Sequence, residues 1–173
     1  SFIGTGFVLS NAGKQSVKGV EFDSSFNPID ALQLRVATVY LDSKYDSYVG
    51  SQFGDISGRS VGGIPKWSTT VGATYTADLN DGKALVLNAD YHNESNTVMN
   101  DNPADIQYKR EVNDLSAAVT LRFDTGLQFS LWGRNLTNAQ YLSVIFPSVV
   151  QSGSISGYPN APRTYGASVK YKF

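Results

Sequence analysis

The feature that most constrains this chain is strict two-residue alternation, held over stretches too long for an ordinary soluble strand. In "LQLRVATVYLDSKY" one face carries Leu32, Leu34, Val36, Thr38 and Tyr40, and the other Gln33, Arg35, Ala37 and Val39. "KWSTTVGATYTA", "ALVLNADYHNE", "DLSAAVTLRF", "LQFSLWGRN", "VEFDSSF" and the final "TYGASVKYKF" repeat the pattern. Successive strand side chains point to opposite faces, so each stretch has one apolar and one polar side. No window keeps a 3.6-residue period, and no helix is expected. The connectors alternate too. "NPID", "DLNDG" and "DTG" are tight turns, whereas 46–65, 95–110 and 136–163 are long, polar and aromatic. Long strands, with short turns at one end and long loops at the other, predict an all-β, antiparallel transmembrane barrel segment of about seven strands. The short turns are then periplasmic and the long loops extracellular.

The polar faces separate this reading from a soluble β-sandwich, whose outer face meets bulk water and is rich in charge. Here they are mostly Ser, Thr, Gly, Gln and Ala with sparse Arg, Asp and Lys, as suits a wet, crowded lumen. Aromatic residues fall near strand ends, at Tyr40, Trp67, Tyr75, Tyr91 and Phe123, where interface girdles belong. With 14 basic and 15 acidic side chains no net field calls for nucleic acid. No run approaches the roughly 20 apolar residues of a membrane helix. Absence of cysteine removes disulfide and thiolate chemistry, and a single histidine removes multi-histidine metal sites. The opening "SFIGTGFVLSNAGK" lacks the layout of a signal peptide.

Four motifs, "NAGKQSVKGVEFD", "GRSVGGIPKWSTTVGATY", "LWGRNLTNAQY" and "PRTYGASVKYKF", resemble in order and spacing the C-terminal segment of TonB-dependent outer-membrane receptors. The resemblance runs from about Phe7 to Phe173. It implies a 22-stranded barrel around an N-terminal plug, importing a scarce nutrient such as a siderophore, cobalamin or saccharide with energy relayed by TonB. It also implies that the terminal strand, through Tyr165, Val169, Tyr171 and Phe173, is the signal read by the barrel-assembly machinery. The sequence departs from the family in lacking the plug, the TonB box and roughly the first two thirds of the barrel. Strand counting agrees. With Phe173 periplasmic, seven strands put residue 1 outside the cell, whereas a whole bacterial barrel has an even number. The expectation is residues 1–173 as the C-terminal part of a larger barrel.

Candidate ligand contacts lie in and beside the loops: Tyr45, Tyr48 and Phe53 around the first, Tyr108 and Arg110 closing the second, and Tyr141, Phe146, Tyr158 and Arg163 in or flanking the third. Rings with a few charges suit flat or ringed solutes. Arg35, Asp90, His92, Glu94, Arg122 and Arg134 fall on the lumen face. The arginines suit either an anionic solute or carboxylates of a plug. Asp90, His92 and Glu94 sit at ligand-like spacing, but alternate residues of a flat strand lie about 7 Å apart, too far for one ion. They are expected to be solvated lumen residues, and no metal or cofactor is assigned. "MNDNPADIQ" is expected to be an Asn-Pro turn and not a calcium loop, and "NES" and "NLT" chance matches to a glycosylation site. "GTG" lacks the following helix of a phosphate loop. No nucleophile–base set is present, so no catalysis is expected. Expected partners are outer-membrane lipid and lipopolysaccharide, the rest of barrel and plug, the TonB complex, the assembly machinery and a small-molecule substrate. The rival readings are a passive porin-like or structural barrel and a soluble lipocalin-like carrier.

Overall fold

The structure, a computed structural model, describes residues 2–3, 6–7, 13–148, 151 and 153–173, with side chains from residue 13 onward. The GTG stretch rests on Gly4 and Thr5, and the first resembling motif on Asn11 and Ala12, all outside the described residues. Two two-residue strands, β1 (Phe2–Ile3) and β2 (Gly6–Phe7), pair with each other. The body is a single antiparallel sheet. Its strands are β3 (Lys14–Ile29), β4 (Leu32–Ser47), β5 (Trp67–Leu79), β6 (Lys83–Val98), β7 (Lys109–Phe123), β8 (Leu127–Arg134) and, after a separate hairpin of β9 (Leu142–Pro147) and β10 (Ile155–Pro159), β11 (Thr164–Tyr171). In space the order is β11-β8-β7-β6-β5-β4-β3, a meander of seven strands. β3, β4 and β6 reach 16 residues, well beyond the usual five or six. Among the described residues nothing pairs with the outer edge of β3 or of β11.

Two of the expected tight turns fall where turn formers stand, whereas Asn27–Ile29 of "NPID" stay in β3 and the reversal comes at Asp30 and Ala31. Asp81 and Gly82 take left-handed φ of 65° and 66° between β5 and β6. Gly126 at φ 87° closes the turn after β7, and a Cβ there would come 2.5 Å from the Lys172 carbonyl, so only glycine fits. The long connectors depart from plain loops in two places. Pro103–Asp105 forms one 3-10 turn capped by the Asn102 side chain, which accepts from the Ala104 amide at 3.1 Å. Connector 136–163 contains the β9–β10 hairpin, because "LSVIF" and "ISGY" pair with each other instead of joining the sheet.

Register carries the alternation across the whole sheet. Leu32, Tyr75, Leu87, Val119, Leu131 and Ala167 form one row, and Ala77, Leu85, Leu121, Phe129 and Val169 another. Between them lie Thr76, Val86, Thr120, Ser130 and Ser168, facing the other way. The apolar face is bare: Val20 is 72% exposed, Leu131 66% and Val169 67%. Water would not tolerate so broad an apolar face, whereas hydrocarbon covers it. Tyr40 and Trp67 meet at 4.9 Å toward the loop end, and Phe123 and Phe129 at 6.0 Å toward the turn end, as girdles do. Among the described residues the buried apolar side chains, Tyr45, Ile56, Ala84, Val112 and Ile145, form no central core. Packing is concentrated at the loop end, and the wall depends on its ladders and its surroundings.

Candidate functional site

At the loop end the first two long connectors are fastened to each other. Tyr45 lies at the loop end of β4, beside the first connector. Its ring is only 5% exposed, and its hydroxyl donates to Asp101 Oδ2 at 2.8 Å. Asp101 Oδ1 accepts the Gly62 amide at 2.8 Å, and the Gly63 amide donates to the Val98 carbonyl at 2.8 Å. Burial, and then the Asp101 carboxylate, push the Tyr45 phenol up to about 12. Ile56, 1% exposed, plugs the first connector. Asp105, buried, accepts from Asn100 and Asn102 Nδ2 at 2.9 Å each, which makes "NDNPAD" a self-bonded turn. The Tyr48 ring meets Tyr45 at 5.3 Å, tilted by 52°, and Tyr48, Phe53 and Tyr108 are half-buried around this unit.

The third connector stands on an asparagine clamp. Asn135 is buried in a left-handed conformation (φ 50°). Its Nδ2 donates to the carbonyls of Ala139 (3.0 Å) and Ala161 (3.1 Å), and its Oδ1 accepts the Ala139 amide at 2.7 Å. Asn160 repeats this from the other side, donating to Ala139 and accepting the Tyr141 amide. Both feet of the hairpin are thus cross-linked by side chains that sequence reasoning left out. Asn135 opens the "NLTN" stretch, but Asn160 lies outside it, and no local pattern joins the two. On the hairpin, Phe146 and Tyr158 meet at 5.6 Å on an exposed face, while Ile145 turns inward and is buried. Arg163 is exposed ahead of β11.

The residues expected to face the lumen divide into three groups. Arg35 and Asp90, on β4 and β6, pair at 3.1 Å over Gly72 of β5. A Cβ at Gly72 would lie 2.6 Å from Asp90 Oδ1 and 3.0 Å from Arg35 Nε, so the glycine opens the passage that lets the charges meet. Higher up, His92 sits 2.9 Å from Thr70 Oγ1 and 3.5 Å from Glu94, and Glu94 takes Arg110 at 2.8 Å. Arg110 also donates from Nη1 to the Ser143 carbonyl at 3.3 Å, tying the hairpin to the wall. Tyr141 joins this cluster from the loop; burial, then Asp114 and Glu94, push its phenol upward against the opposing pull of Arg110. Asp90 therefore turns to Arg35, while Glu94 turns to Arg110 and stays 3.5 Å from His92, so the three side chains do not converge on one point. Arg122 and Arg134 make no ion pair among the described residues, and Arg134 lies over the Trp132 ring at 5.1 Å.

The family model for TonB dependent receptor-like β-barrels matches residues 1–136. No curated protein sequence matches the chain. Among solved structures, the ferric yersiniabactin uptake receptor FyuA from Yersinia pestis is similar with a TM-score of 0.79 and 18% identity, over 96% of this chain and 25% of that one. The ferric preacinetobactin receptor BauA from Acinetobacter baumannii is similar with a TM-score of 0.64 and 23% identity, over 94% of this chain and 23% of that one. The chain spans about a quarter of the length of either receptor, and at these identities the likeness speaks for the fold alone.

Proposed function

The chain belongs to the TonB dependent receptor-like β-barrel family, outer-membrane transport receptors of Gram-negative bacteria and not enzymes, and on that footing we propose that it serves in active import of a scarce nutrient. In this reading residues 1–173 are the C-terminal part of a 22-stranded barrel. They supply wall, extracellular loops and, through Tyr165, Val169, Tyr171 and Phe173, the assembly signal. The observation that carries it is the open seven-stranded sheet, lipid-ready on one face and unpaired at both edges among the described residues, which needs further strands to close. Ligand is captured at the loop end, then admitted by a plug that TonB rearranges.

The proposed cargo is a ferric chelate of siderophore type, with cobalamin or a saccharide as the other candidates. The names of the two similar receptors support this class, as do the rings and cation gathered at the rim. Tyr48, Phe53, Tyr108, Arg110, Tyr141, Phe146, Tyr158 and Arg163 are the proposed contacts, and Tyr45 supports them from beneath. Deleting the gene for the full-length receptor should abolish uptake of one radiolabelled ferric siderophore, and a strain lacking TonB should show the same loss. Uptake surviving without TonB, with steady ion conductance in planar bilayers, would favour the passive porin-like reading.

A further inference from the structure

The β9–β10 hairpin leans on the wall through one side chain. Arg110 stands on β7 with its fork divided: Nη2 lies 2.8 Å from Glu94 Oε2 on β6, and Nη1 donates to the Ser143 carbonyl of β9 at 3.3 Å. Among the described residues this is the one hydrogen bond from the seven-stranded sheet to either strand of the hairpin. The grip on Glu94 is close but out of line. Glu94 Oε2 and Arg110 Nε are both buried without a hydrogen-bond partner among the described residues. A charge pair left short of bonds yields to a better-placed donor.

Such a donor stands two residues away on the same strand. His92 holds Nε2 3.5 Å from Glu94 Oε1 and Nδ1 2.9 Å from Thr70 Oγ1. Its side chain is 38% exposed, so protons reach it. Asp114 of β7 is its cross-strand partner, Asp90 and Glu94 flank it on β6, and Arg110 and Tyr141 complete the cluster. β5 offers only Ser68, Thr70 and Gly72, and Asp90 is engaged by Arg35.

We propose that Glu94 and Arg110 form a latch holding the hairpin to the wall, and that proton uptake at His92 releases it. Neutral His92 offers Glu94 at most one uncharged N–H, and the carboxylate stays with Arg110. Protonated His92 donates from both ring nitrogens, keeps Thr70 by a turn of that hydroxyl, and presents Glu94 with a second cation. Asp114 favours the proton whether the latch is closed or open. Arg110 opposes it only while held against Glu94, so acid favours release. Glu94 then turns to His92, Arg110 loses the group that aims it, and Ser143 is let go. Glu94 is thus a positioning residue for Phe146 and Tyr158, which the hairpin carries. That last role rests on the import reading, while the latch itself does not.

The test uses the full-length receptor in detergent, spin-labelled at Val144→Cys beside the tie, with any other cysteine replaced. With no further substitution, the mobile fraction of the label should rise about threefold between about pH 8 and pH 5. His92→Gln, which can bond Thr70 but cannot carry the charge, should keep that fraction low and level. Glu94→Gln should keep it high throughout. A level fraction in the otherwise native receptor would overturn the latch. A rise of equal size in His92→Gln would overturn it too, and move the titration to another group. Uptake of a radiolabelled ferric siderophore separates the two readings. Its KM should increase about threefold at about pH 5 and hold in His92→Gln. A label that responds as expected while KM stays put would uphold the latch and remove Phe146 and Tyr158 from the proposed contacts. Absence of any siderophore uptake would remove the import reading and leave the label to decide the latch.

Discussion

Neighbouring residues of one strand answer to different solvents. Leu121 stands between Leu85 and Phe129 on the lipid face, while Thr120 turns inward to Ser130. Leu121→Arg should destabilise the folded barrel by about 2 to 4 kcal/mol, the cost of a cation near the bilayer midplane. Thr120→Arg, entering a wet lumen, should cost far less. Urea unfolding of the full-length receptor in lipid vesicles measures both, and equal losses would contradict the alternation. Tyr45 gives a second residue-scale expectation. In the folded state its phenol ionises near 12, against an ordinary value of 10.0 once released. Its contribution is therefore complete below about pH 10 and is lost as pH rises toward 12. Protection of the Gly62 amide, taken relative to its intrinsic base-catalysed exchange, should fall through that window in the native protein, while in Tyr45→Phe it should stay level.

At the scale of elements, the third connector is a hairpin on a fixed base. The Asn135 side chain donates two hydrogen bonds and accepts two, from a left-handed conformation that alanine disfavours by about 1 to 2 kcal/mol. Asn135→Ala should loosen both feet by about 2 to 4 kcal/mol, the strain adding to lost buried hydrogen bonds. Asn135→Gly keeps the backbone and loses only the bonds, so limited proteolysis of 140–162 should rank alanine above glycine above native. The terminal strand tests another role. Tyr165, Val169 and Tyr171 are exposed on the lipid face, and the Phe173 ring meets Tyr171 edge-on at 5.0 Å. If Phe173 is read by the assembly machinery, its deletion from the full-length receptor should lower membrane insertion in cells. Folding in detergent should change little, and matched losses would leave Phe173 a simple interface anchor.

At the scale of the whole molecule, the sheet has two open edges among the described residues. β3 and β11 each present a row of backbone N–H and C=O groups that hydrocarbon cannot satisfy, at several kcal/mol for each group left unpaired. The 173-residue chain refolded alone in detergent should therefore pair those edges between copies and run as dimers or larger species in light scattering. A monodisperse monomer with β3 bonded to β11 would instead be a closed small barrel, and would contradict a role as one part of a larger wall.

Alternation, strand length and turn chemistry were legible in the chain because they are local: each strand states its own two faces, and "NDG" and "DTG" state their own reversals. The division into lipid and lumen sides followed from which residue types shared a parity, and so did the placement of Leu121 and Thr120. The loops were legible only as composition. Tyr45 as a buried tie, Asp101 bridging two connectors, Gly72 making room for Arg35 to reach Asp90, and the clamp of Asn135 and Asn160 are contacts between residues far apart in sequence. No local period encodes such pairings. They depend on register, on which backbone groups a loop leaves unsatisfied, and on the space a neighbouring strand opens, all of which exist only once the sheet has formed.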